Sequence, residues 1–309
     1  MEQLKRYVLG KPMASGEAED QLLPISLALP IFSADAISSV AYATEAAMVV
    51  LVATSLGALH WTLPISAGVA ALMAIVVASY RQTVHAYEQS GGAYVVAKEN
   101  LGKLPSLVAA ASLLVDYVLT VAVSVASGIL AIASAAPSLG SYKTELSVIA
   151  VALITVVNLR GVRESGFAFA LPTYGFILTL YAALLTGIGR CAIGSCPRAV
   201  TPHEFPAGVG AVGALVLLRA FASGASALTG VEAIAAGVPA FRRPQSQNAA
   251  RTLLILGCIA VSLFLGVSWL AVHTHARPSS SVSVLSQVVR VAFPAGSSVS
   301  WLFWVVQIF

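Results

Sequence analysis

The sequence predicts an all-α integral membrane protein with about eight spans, and three observations carry that prediction. Hydrophobic residues make up 58% of the 309-residue chain and charged residues only 10%, whereas a soluble domain carries about 25% charged residues. Too little charge is present to coat a water-exposed surface. The apolar residues also gather in runs near the ~20 residues that cross about 30 Å of hydrocarbon. Finally, the net charge of +4 is spread over short loops and not over a basic, aromatic-interleaved face, which excludes a nucleic-acid partner.

The elements follow in order. Residues 1–22 read as a cytoplasmic tail, because they are charged and lack the apolar core of a secretory signal. Eight apolar runs come next: Leu23 to Ala53, Leu63 to Tyr80, Ser106 to Ala135, Glu145 to Leu159, Phe167 to Ile188, Val209 to Val238, Thr252 to Val272 and Ser297 to Phe309. The last has 13 residues and stops at the chain end, so it reads as an incomplete helix. With the N-terminus inside, Lys5, Arg6, Lys11, Arg81, Lys98, Lys103, Arg160, Arg163, Arg242, Arg243 and Arg251 lie inside. Lys143, Arg190, Arg198, Arg277 and Arg290 lie outside. That bias obeys the positive-inside rule and places the chain in the cell membrane as a multi-pass protein. The outside loop GRCAIGSCPR holds Cys191 and Cys196, which pair as a disulfide if the loop faces an oxidising compartment. Cys258 reads as a small core residue.

Spans one and six stand apart. The first carries SADAISS at 33–39 and the sixth ASGASALTG at 222–230. Small residues also serve close helix packing. Two such runs five spans apart, however, are the mark of an inverted five-helix repeat whose broken helices frame a midplane site. Residues 23–188 then form the first repeat and 189–309 the start of the second.

Three acids lie deep in spans: Asp35, Asp116 and Glu232. Each costs about 2.5–3.5 kcal/mol at the bilayer centre, so each must face a cation, water or the bundle interior. Arg219 is the only base within a span and neutralises one acid at most. Glu45, nearer the outer end, is a weaker candidate. Asp35, Ser39 and Tyr42 share a helical stripe, as do Asp116, Thr120 and Ser124. Tyr117 stands seven residues before Ser124, and Thr229 three before Glu232. Carboxylates with hydroxyls suit a hard monovalent cation, and the absence of sulfur and imidazole argues against zinc or copper. Other motifs are weak. GVGAVG opens a membrane span and does not follow a strand, and no nucleophile–base pair marks an enzyme.

PIFSADAISSVAYATEA at 30–46, SYRQTVHAYEQSGGAYVVAKENLG at 79–102 and RAFASGASALTGVEAI at 219–234 resemble the amino acid–polyamine–organocation superfamily. The resemblance is closest to the KimA-type potassium transporters of the KUP family. NLRGVRESG at 158–166 and VPAFRRPQSQNAARTL at 238–253 are similar as well. The resemblance implies a LeuT-like fold with broken helices 1 and 6, and secondary, proton-coupled uptake of potassium. It implies a potassium site built by Asp35, Tyr42, Asp116, Tyr117, Thr120, Ser124 and Thr229, with Glu232 carrying the proton. The inside loop at 81–102, turning at Gly91 and Gly92, is implied to flank the gate. No cofactor is expected beyond the transported ion and proton. The partners are then potassium, protons and the lipid bilayer, with a homodimer open for the complete protein. The alternative is an amino-acid or polyamine permease of the same superfamily. An acid at Asp35 would repel a substrate carboxylate, which favours a cation.

Overall fold

A computed structural model describes residues 22–88, 92–159, 162–194 and 196–309, without side chains over 162–167. The tail read over 1–22 therefore lies outside the described residues except for Leu22, as do Gly91, Arg160 and the side chain of Arg163. The regular elements among the described residues are helices, joined by irregular segments with isolated bridges at Leu23–Phe241, Ser55–Val209 and Glu204–Ser279. Among these residues seven helical stretches are long and apolar enough to cross a membrane.

The first span is α1 (Ile25–Thr54) and the second α2 (Thr62–Ala86). A short amphipathic α3 (Gly92–Leu101) precedes the third span, α4 (Lys103–Ala135). Spans four and five are α5 (Lys143–Leu159) and α6 (Val162–Ile193). The sixth consists of α7 (Ala214–Gly224), a 3-10 turn over Ala225–Leu228 and α8 (Val231–Ala236). The seventh is α9 (Gln245–His273). Two short helices follow, α10 (Val284–Ala292) and α11 (Trp301–Ile308). The expected eighth span is thus present only as α11, whose eight residues rise about 12 Å, too little to cross.

One local expectation is corrected. The first span is not broken: α1 runs as one helix through SADAISS. The hydroxyls of Ser38 and Ser39 both donate to the Asp35 carbonyl, each at 2.9 Å. The polar run therefore folds back onto its own helix without opening it. Pro30 also sits inside α1. Its missing N–H leaves the carbonyl four residues earlier without its helical donor, and Tyr174 of α6 donates to that Ser26 carbonyl at 2.9 Å.

The sixth span does break. After Gly224 the chain tightens to 3-10, Thr229 turns extended, and Gly230 takes a left-handed conformation with φ +83°. Glycine alone adopts that conformation without strain. The core lies where α1 meets α7, α9 and α6, and where α9 lies along α2. Glycines let these backbones approach: a Cβ at Gly257 of α9 would stand 3.0 Å from both methyls of Val77 on α2. In membranes, where lipid is as apolar as the core, such close packing drives helix association.

Cys191 and Cys196 are joined as a disulfide. Cys258 is exposed on α9 and is not a core residue, because it stands one turn after exposed Leu254 on the same stripe of the helix.

Val77 is β-branched and cannot swing aside. Gly257→Ala is therefore expected to lose about 1–3 kcal/mol to overpacking, read as a lower thermal midpoint of the purified protein in detergent. An unchanged midpoint would show that α2 and α9 are less tightly seated.

Candidate functional site

The break in the sixth span lies directly against the middle of α1. A Cβ at Gly230 would stand 2.8 Å from Ala36 N and 2.8 Å from Asp35 Oδ2. The left-handed glycine thus serves two ends at once: it turns the chain, and its missing side chain lets the turn reach the Asp35 carboxylate. Asp35 Oδ1 is buried with no hydrogen-bond partner.

A chain of hydroxyls runs beside that carboxylate. Ser39 Oγ lies 2.8 Å from Tyr42 Oη on its own helix and 2.8 Å from Thr229 Oγ1 at the break. Thr229 in turn donates to the Ser226 carbonyl at 2.9 Å. Ser38 Oγ stands 3.4 Å from Ser124 Oγ on α4, which joins the third span to the group. Ser39 is fully buried and Tyr42 is buried beside it. Ser38 and Ser39 donate to the Asp35 carbonyl and Thr229 to the Ser226 carbonyl, so these hydroxyls spend their protons on main chain and face one another as oxygens.

The remaining acids surround this chain. Glu232 and Asp116 are the charged neighbours that Asp35 feels most strongly, and Asp116 also acts on Glu232. Glu232 opens the first turn of α8, and its Oε1 is buried without a partner. Tyr117 is half-exposed on α4 and is an electrostatic neighbour of all three acids. Thr120 is buried on the same helix. Each of the eight residues singled out in the sequence lies on α1, α4 or the broken sixth span.

Arg219 does not neutralise the group. It is exposed on α7 and forms no ion pair with an acid among the described residues. It lines a cleft with Val49, Val50, Ala53, Thr54, Leu215 and Val216, near the far end of α1. Among the described residues no basic side chain forms an ion pair with any of the three carboxyls. Among the described residues no three acid, histidine or cysteine side chains draw together as a metal-binding group. The oxygens available at one point are thus mixed carboxylate, hydroxyl and carbonyl oxygens.

Four groups escaped the sequence reading. Tyr80, at the end of the second run, is an electrostatic neighbour of Glu232 and Tyr117, and no spacing pointed to it. Ser38 lay inside a run already singled out. Ser33 and Ser226 carry hydroxyls that are buried and unpartnered, and both belong to the same two small-residue runs.

Gly230→Ala is expected to combine about 1–2 kcal/mol of left-handed strain with about 1–3 kcal/mol from the clash at Asp35. Gly296 has φ +80°, but a methyl group added there would meet nothing within 4 Å, so Gly296→Ala should lose only the first part. Equal falls in thermal midpoint for the two variants would mean that Gly230 does not crowd Asp35.

A family model described as amino acid permease matches residues 25–309. The chain is also 42% identical over 290 residues to the potassium transporter KimA of Bacillus subtilis (strain 168), an alignment covering 94% of this chain and 48% of that protein. The chain thus spans about half the length of this curated relative. An all-helical permease domain with this order of spans fits the LeuT-like fold.

Proposed function

Because the chain belongs to the amino acid permease family, and is a multi-pass membrane protein with its acids gathered at a broken span, we propose that it forms the ion-binding part of a secondary transporter for potassium, coupled to protons. The observation that carries this reading is the Asp35 carboxylate. It is packed against the left-handed Gly230, one oxygen lacks any partner, and no basic side chain among the described residues pairs with it.

An unpaired ionised carboxylate at this depth is costly. A bound cation removes the cost, and so does a proton. Asp35, Tyr42, Asp116, Tyr117, Thr120, Ser124 and Thr229 are the residues assigned to potassium. Their oxygens suit a hard monovalent ion. Glu232 is assigned to the proton, since it stands next to the break with an unpartnered oxygen and shares the charge of Asp116.

The scale of the site favours a bare ion over an organic cation. Ser39, Tyr42 and Thr229 touch one another at hydrogen-bond distance, which leaves gaps between oxygens and not a chamber for a polyamine. A free amino acid fares worse, because its carboxylate would meet Asp35. The relative named a potassium transporter supports the same choice. The N-terminus is assigned to the cytoplasm from the loop charges. Residues 23–188 and 189–309 are assigned to the first repeat and the start of the second, and a homodimer belongs to the complete protein.

The test uses bacteria that lack their own potassium uptake. The complete protein should restore growth at limiting potassium, and Asp35→Asn or Asp116→Asn should abolish the rescue. Glu232→Gln should leave potassium binding measurable while removing the dependence of uptake on the proton gradient. No rescue by a well-expressed parent, together with uptake blocked by putrescine, would transfer the proposal to an organic cation.

A further inference from the structure

Glu45 is a second in-span carboxylate of α1, and neither potassium nor the proton has been assigned to it. It lies ten residues beyond Asp35, about 15 Å further along the helix. Its Oε2 accepts a hydrogen bond of 3.0 Å from the backbone N–H of Val284, the first residue of α10. The Ser283 N–H just before it donates to Ser134 Oγ near the end of α4 at 3.2 Å. The start of α10 is therefore held between α1 and α4, the two helices that meet at the site through Ser38 and Ser124.

The level of this junction is set by the chain. Ser134 is ten residues beyond Ser124, as Glu45 is ten beyond Asp35. Both helices run in the same direction, so α10 closes the space between them one short helix away from the site. The body of α10 is built as a plug. Val284, Leu285, Ser286, Gln287, Val288, Val289, Val291 and Ala292 are all buried, against α6, α9, α1, α4 and α11. Its first free N–H groups are met from inside, by Ser283 Oγ at Ser286 N and by Glu45 at Val284 N. A carboxylate at a helix N-terminus gains from both the charge-assisted bond and the helix dipole.

We propose that Glu45 is a catch on α10, holding its start across the gap between α1 and α4 together with Ser134, so that release of the Glu45 bond loosens the closure of the site from that end. Glu45 is then a positioning residue, acting through α10 and not on the transported ion. The bond is well suited to the task. It joins residues 239 apart in the chain and a single side chain supplies it, while Ser286 donating to Gln307 Oε1 and Gln287 donating to the Arg277 carbonyl hold the body of α10.

Thiol protection in the purified complete protein tests this, in a background without other free cysteines. Val288→Cys places a thiol within the plug, where the residue is fully buried, and Ala249→Cys places one in an equally buried part of α9. Adding Glu45→Ala should speed modification at Val288→Cys by about tenfold or more, as expected for loss of a hydrogen bond to a charged group, and leave Ala249→Cys unchanged. Glu45→Gln keeps an acceptor oxygen for Val284 N–H and should restore most of the protection. An unchanged rate at Val288→Cys, equal acceleration at both sites, or a glutamine variant as fast as the alanine variant would each overturn the proposal. The assay does not depend on the cargo, so failure of the potassium reading would leave its outcome standing.

Discussion

The structure turns on carboxylates placed deep in a membrane with no ion-paired basic side chain among the described residues. Asp35, Asp116 and Glu232 act on one another, while Arg219 points into a separate cleft. Like charges at close range in a poor dielectric are unfavourable. The fold keeps them together only because every neighbouring element offers an oxygen or a break. Gly230 brings the backbone onto Asp35. Ser39, Tyr42 and Thr229 line up hydroxyls beside it. The packing glycines of the surrounding helices hold these elements close enough for that arrangement to persist. The proposed ion and proton answer one physical need: each neutralises a carboxyl that the protein itself leaves unbalanced.

Much of this was legible in the sequence, for reasons that differ by element. The spans could be read because hydrocarbon admits only long apolar helices with their own backbone bonds. The site acids could be read because charge at that depth is rare. The break in the sixth span could be read from ASGASALTG, but the same reasoning failed on SADAISS. The two runs look alike in composition, yet only ASGASALTG contains glycine. Gly230 supplies a left-handed turn, whereas the serines near Asp35 spend their hydroxyls on its carbonyl and keep the helix whole. Tyr80 left no trace in the pattern, since an aromatic at the end of an apolar run is ordinary. Glu45 looked weak because its partner, Val284, is remote in sequence and contributes a backbone N–H that any residue would have.

The helix α1 is tied by main chain at both ends and by a side chain at Glu45, and the two kinds of tie bear on how the molecule could open. At the Leu23 end the tie is main chain. Leu23 N–H donates to the Ala240 carbonyl at 2.8 Å, Arg242 N–H donates to the Leu23 carbonyl at 3.0 Å, and Phe32 stacks on Phe241. These contacts bind α1 to the segment that follows the broken sixth span. Towards the other end Glu45 bonds α10 and Thr44 meets Ser268 of α9, and past them the Gly208 and Gly210 N–H groups donate to the Val52 and Thr54 carbonyls at 3.1 and 2.9 Å. A paired backbone ladder and a lone carboxylate are not equal fastenings. Two main-chain bonds separate only when the segment after α8 moves as a unit, which carries the break at Gly230 with it. The Glu45 bond is a single side-chain contact. Opening at the Leu23 end must therefore disturb the Asp35–Gly230 contact, while opening at the α10 end need not. An ion held at that contact would feel the first motion directly and the second only through exposure to water, so release and entry at the two ends are physically different events.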